Sequence, residues 1–248
     1  MKDCFFIEDY KKVYKKLSCF RYPMYKVIKG EVGMNVKKFA QGYNLYKLFW
    51  IFFLSSFIGA CIEIVWCYFV MGKFMSRSSL LYGQFSIVWG LGCVLLTVLL
   101  HKLQGKRNLY VFLIGAFAGG IYEYICTIFT EVFFGVRFWD YSDIAFNING
   151  RVNLLFCFFW GILAIAWIQI VYPYLSNKIE KIPLGTGKYL TWFLFTFLLF
   201  DIVLSTLALD RAYHRHMHIE ANNQVEVFLN NKYTDTYLAK RYQNMFPR

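Results

Sequence analysis

Five blocks of mostly apolar residues, at about 45–70, 82–100, 109–134, 152–174 and 189–209, limit what this chain can fold into. Each is close to the ~20 residues that an α-helix needs to cross a hydrocarbon core, with tilt taking up the excess. Lipid offers no partner for exposed backbone N–H and C=O groups, so such blocks are expected to be helices that satisfy their own backbone. Charged residues make up only 17% of the chain against 58% hydrophobic, too few to cover a soluble domain of 248 residues. The expected fold class is therefore all-α: a polytopic membrane protein with about five transmembrane helices.

The formal charge of +12 does not point to nucleic acid. Lysine and arginine concentrate in the first 47 residues and in the short connections between apolar blocks, and nucleic-acid-binding motifs are absent. Three parts follow: a basic cytoplasmic N-terminal segment, 1–44, with an interfacial helix near Tyr10–Phe20; a transmembrane domain, 45–209; and a C-terminal tail, 210–248. Lys102, Lys106, Arg107, Lys178, Lys181 and Lys188 fall on the side of the N-terminus, which places that side in the cytoplasm and the C-terminus outside. The first residues do not read as a signal peptide, since Asp3, Glu8 and Asp9 interrupt them. Seven scattered cysteines show no zinc or CxxC spacing, and none falls in a segment assigned outside, so no external disulfide is expected.

Within the first block, Ser55, Gly59 and Glu63 are spaced i, i+4, i+8; in the third, Gly115, Gly119 and Glu123 repeat the spacing. Small residues on a helix face let another helix approach closely. After each glutamate comes a glycine-containing loop, then an arginine (Arg77 or Arg151), then a Trp-Gly pair in the next block, Trp89-Gly90 or Trp160-Gly161. The expected architecture is two parallel helix-loop-helix repeats plus a fifth helix.

A carboxylate in hydrocarbon must face protein, water or a cation. Arg77 is the expected partner of Glu63, and Arg151 of Glu123. Either these four charges line an outward-facing cavity that binds a polar substrate, or each pair anchors a loop; the residues leave both open. The loop 138–154 adds Asp140, Asn149, Gly150 and Arg151, residue types that build turns but also contact ligands. The candidate binding set is thus Glu63, Arg77, Glu123, Asp140, Asn149 and Arg151. Asp201, in the fifth block, is a further buried acid. His214, His216 and His218 alternate in the tail without a fixed scaffold, so no metal or other cofactor is expected. Gly185-Thr186-Gly187-Lys188 ends like a P-loop, but Ile182 and Tyr189 break the motif, and HExxH and GxSxG are missing; no catalytic residue is assigned.

Gly59-x-x-x-Glu63, Glu123-Tyr124 and above all WDYS (139–142) with FNINGRVNL (146–154) and FWG (159–161) resemble the CmpB-like family of type IV ABC-transporter permeases over about residues 45–170. The first loop, GKFMSRSSLLYGQ, departs from the family pattern, with Ser76, Ser78 and Gln84 in place of Asn, Gly and Pro. The resemblance implies a permease subunit in the cytoplasmic membrane that works with a separate ATPase. Besides lipid, a homo-oligomeric assembly is left open. Two other classes compete: a non-transporting membrane scaffold or regulator, and an intramembrane enzyme acting on lipid or envelope precursors.

Overall fold

The computed structural model describes residues 38–135, 137 and 139–243; the expected interfacial helix at Tyr10–Phe20 lies outside them. Helix α1 runs from Leu45 to Met71, started by Asn44, whose side chain accepts from the Lys47 amide at 3.0 Å. It stops at Gly72, which takes the left-handed conformation at φ 67°. Helix α3, Asn108–Phe134, stops the same way at Gly135, φ 66°. A residue with a Cβ would resist that conformation, so these glycines define where the two helices give way to loops.

Between them, the second apolar block corrects the expectation of a full span over 82–100. Helix α2 covers only Ile87–Leu100, 14 residues or about 21 Å, continued by a 3₁₀ turn at His101–Leu103. Residues 82–86 stay in the loop for a local reason. The Ser78 hydroxyl accepts from the amides of Leu80 and Phe85 and lies within hydrogen-bond reach of the carbonyls of Leu80, Gly83 and Phe85. One serine thereby organises the turn, the work that glycine and proline would otherwise do by backbone restriction.

The fourth block forms α4, Leu154–Ala166, a π turn at Trp167–Val171, and α5, Tyr172–Ile179, as one continuous apolar rod. Pro173 lacks an N–H and crowds the carbonyl four residues earlier, and the wider turn just before it relieves both faults. The fifth block is longer than expected: α6 extends from Leu184 to His216. Two short helices follow in the tail, α7 at Gln224–Lys232 and α8 at Asp235–Arg241. Among the described residues, four helical rods are long and apolar enough to cross a membrane: Leu45–Met71, Asn108–Phe133, Leu154–Ile179 and Leu184–His216.

Packing pairs α1 with α2 and α3 with α4 through matched contacts. A Cβ on Gly59 would sit 2.3 Å from Trp89 Cγ, and one on Gly119 would sit 2.2 Å from Trp160 Cγ. Gly90 likewise closes on the ring of Phe52, and Gly161 on that of Phe112. Each glycine makes a slot for an aromatic ring, and the helices approach as closely as the ring allows. Around these pairs Ile51, Leu96, Leu100, Val111, Ala164 and Ile168 form the apolar core. Buried tryptophans place their indole N–H groups on hydroxyls, Trp50 on Thr191 at 2.8 Å and Trp167 on Thr97 at 2.9 Å.

Candidate functional site

Glu63 lies on α1 two turns before its end, with an Arg77 guanidinium nitrogen 3.5 Å from its carboxylate. That contact joins two residues of the candidate set. Both side chains keep some exposure, so the pair is partly hydrated rather than sealed in the core.

Glu123 corrects the second expected pair. It is 9% exposed, and its Oε1 accepts from the Tyr141 hydroxyl at 2.7 Å; among the described residues no ion pair reaches it. Arg151 bonds instead to Glu131, through Nε at 2.9 Å and Nη2 at 2.7 Å, and its guanidinium lies over the ring of Tyr124. Arg137 also reaches Glu131, and a second nitrogen lies 3.4 Å from Asp140. The reason is positional. Glu131 occupies the last turn of α3, where the helix dipole disfavours an acid, so a carboxylate there draws both guanidinium groups the loop supplies. Glu123, two turns deeper, meets the loop through its aromatic ring: Tyr141 stacks on Phe156 with centroids 4.4 Å apart.

The loop above these acids is tightly self-bonded. Asp140 accepts from the Ser142 amide at 2.9 Å and the Ser142 hydroxyl at 2.5 Å. Those bonds, with Arg137 adding to them, hold the Asp140 carboxyl below its ordinary range. The Tyr141 phenol moves upward, through burial first and then the neighbouring Glu123 carboxylate. Asn149 and Gly150 both take positive φ, at 53° and 68°, and the Arg151 amide bonds to the Ile148 carbonyl at 3.0 Å. That turn joins the two short strands β1, Asn147–Ile148, and β2, Val152–Asn153, which pair Ile148 with Val152 across residues 149–151. Asn149 is thus a turn residue, and the loop holds a small hairpin, the one strand pairing among the described residues. A Cβ at Gly150 would strike Ser142 Oγ and Asp140 Oδ1 at 2.3 and 2.4 Å.

Asp201 is fully buried in α6, where it accepts from the Tyr82 amide and from Ser205. His214 lies beside Asp210 one helical turn away, and among the described residues no three metal-binding side chains gather closely. Glu131 and Tyr141 are the contributors absent from the expected set. The position of Glu131 one turn before a helix-ending glycine was the available signal for it; nothing in the sequence pattern pointed Tyr141 at Glu123.

The assignment of Arg151 to Glu131 makes a direct prediction. Arg137→Ala with Arg151→Ala should lower thermal stability more than either change alone, and Glu131→Gln in that background should restore most of it. Glu123→Gln in the same background should restore nothing, as read by melting of the detergent-solubilised protein.

Helices of spanning length, with acids set inside their packed faces, define a multi-pass membrane protein with polar groups in its interior. The chain belongs to the family described as "Putative ABC-transporter type IV", whose pattern matches residues 50–206. No curated protein and no solved structure matches it.

Proposed function

We propose that the protein is the membrane-spanning permease subunit of a transporter that works with a separate ATP-hydrolysing subunit. The observation that carries this reading is the family match over 50–206, a stretch that includes every candidate site residue from Glu63 to Arg151. The polar site is built from Glu63 with Arg77 and from Glu123 with Tyr141, beneath the loop that carries Asp140, Asn149 and Arg151. Acids inside membrane helices are costly and are kept where substrates or ions pass.

In this reading the chain crosses the cytoplasmic membrane five times, with the short α2 and the loop before it together completing the second crossing. The contact between the tail and loop 72–86 favours that count, because Arg241 of α8 donates to the carbonyls of Leu80 and Gly83. Helices α1 and α2 form one repeat and α3 and α4 the other, supported by the matched Gly59–Trp89 and Gly119–Trp160 slots. The N-terminus is cytoplasmic and the C-terminus outside. An impermeant thiol reagent applied to intact cells should label Ser142→Cys and spare Lys106→Cys; the opposite pattern inverts the topology.

One observation favours the scaffold reading. The polar groups of residues 139–153 are largely spent on one another, as in a rigid cap. The two readings separate on purification of the tagged chain from its own membranes. The permease reading expects an ATPase to copurify, with its hydrolysis lost in Glu63→Gln and Glu123→Gln proteins that still reach the membrane. Failure of any ATPase to copurify after cross-linking, with both variants unchanged, leaves the scaffold.

A further inference from the structure

We infer that the C-terminal segment formed by α7 and α8 is a latch on loop 72–86, and that through this loop it governs whether Arg77 stays against Glu63. The latch lies beyond the family's matched stretch, which ends at residue 206. The loop sits between α6 on one side and the tail on the other, and its backbone is held from both.

From α6, Ser205 accepts the Leu81 amide at 2.8 Å and Asp201 accepts the Tyr82 amide at 3.2 Å. From the tail, Arg241 donates through Nε to the Leu80 carbonyl at 2.8 Å and through Nη2 to the Gly83 carbonyl. The hydroxyls of Tyr82 and Tyr233 meet at 2.9 Å. Leu81, 3% exposed, fills a socket with Ala208 and Ala212 of α6 below and Leu229, Tyr233, Leu238 and Tyr242 of the tail above. Four backbone groups of successive residues, 80–83, are therefore met by elements distant in sequence, and an apolar plug fixes the register. Irregular backbone at this depth is tolerated only while protein satisfies it.

The tail is itself fastened to α6 rather than lying loosely on it. Arg211, 3% exposed, donates to Asn230 Oδ1 and to the Ile219 carbonyl. Arg215 reaches Asp235, the Tyr233 carbonyl and Asn230. Lifting α8 alone breaks the Arg241 bonds and the Arg215 bond to Asp235 and opens the top of the Leu81 socket, while the bonds of Arg211 and Arg215 to Asn230, Ile219 and Tyr233 stay in place as the hinge. Arg77 lies three residues before Leu80, so a released loop takes the partner of Glu63 with it. This last step rests on the site reading above; the latch does not.

Hydrogen exchange read by mass spectrometry on the full chain in lipid nanodiscs tests the latch without any transport assay. Arg241→Ala should speed exchange of the amides in 78–86 about tenfold, the loss of a charge-assisted bond. Peptides of α3 and α4 should exchange as before. Arg241→Lys, which keeps the charge and loses the two-pronged donor, should give an intermediate rate. Unchanged exchange in 78–86 overturns the latch, and so does equal acceleration throughout the helices, which would make the tail a general brace. Acceleration of 78–86 with residues 73–77 unmoved overturns the link to Arg77 alone.

Discussion

Gly119→Ala should destabilise the protein by about 3 kcal/mol, the upper end of what overpacking costs, because the new methyl carbon meets the Trp160 ring at 2.2 Å. The ring has little freedom to yield. Its own neighbours include Gly92, whose Cβ position lies 3.0 Å from the far edge of the same indole, and Tyr122, edge-on at 5.8 Å. Gly59→Ala should behave alike against Trp89. Helix propensity runs the other way, since alanine is the better helix former by about 1 kcal/mol, so a loss identifies packing as its cause. Gly185→Ala, helical and with nothing within 4 Å, is the control and should be neutral or stabilising by up to about 1 kcal/mol. Trp160→Leu should relieve much of the Gly119→Ala penalty, giving a coupling of about 1–2 kcal/mol in a double-mutant cycle. Additive losses would mean that the slot is not where the helices touch.

The close-approach faces were legible in the sequence, because small residues at i, i+4 spacing and a recurring Trp-Gly pair are local patterns, but that each tryptophan fills the facing glycine's slot was not. The helical class was legible for the same reason, carried by block length and apolar content. The second block was not, because its length as a helix depends on Ser78, and the turn a hydroxyl organises is invisible to hydropathy. The reach of α6 to His216 also escaped, since its last turns are polar on one face and rest on α7 and α8 through Arg211 and Arg215. At the site, Glu63 with Arg77 could be inferred from nearness along the chain. Glu123 with Arg151 could not be decided that way, because Glu131 competes for the same arginine and only geometry ranks the two acids. The Asn149-Gly150 dipeptide was a readable hairpin signal, and it explains Asn149 without recourse to a ligand.

At the opposite end of the bundle, removing either partner of one ion pair should have unequal effects. Lys47 is fully buried at the start of α1, and its ammonium donates to the Ser176 carbonyl at 3.2 Å, the Ser176 hydroxyl at 2.5 Å and Glu180 at 2.7 Å. Glu180 keeps 21% of its side chain exposed and accepts a further bond from the Gly42 amide. Glu180→Ala strands an ammonium that has no water, which should cost about 3–4 kcal/mol. Lys47→Met fills the same space without charge and leaves a carboxylate that can hydrate, so about 1–2 kcal/mol is expected. The double variant should lie near Lys47→Met alone, because no buried charge then remains. Acidity should expose the same asymmetry. Burial pushes the Glu180 carboxyl up, yet the bonds from Lys47 and Gly42 outweigh it and hold the group below its ordinary value. Its contribution is therefore complete above the unfolded carboxyl range, near pH 4.3, and fades as the pH falls through the lower folded value. Thermal melts between about pH 7 and pH 3 should show that loss in the wild-type protein and a shallower one in Lys47→Met. Equal costs for the two single variants would mean that water reaches Lys47, and that the ammonium is not sealed beneath Ser176.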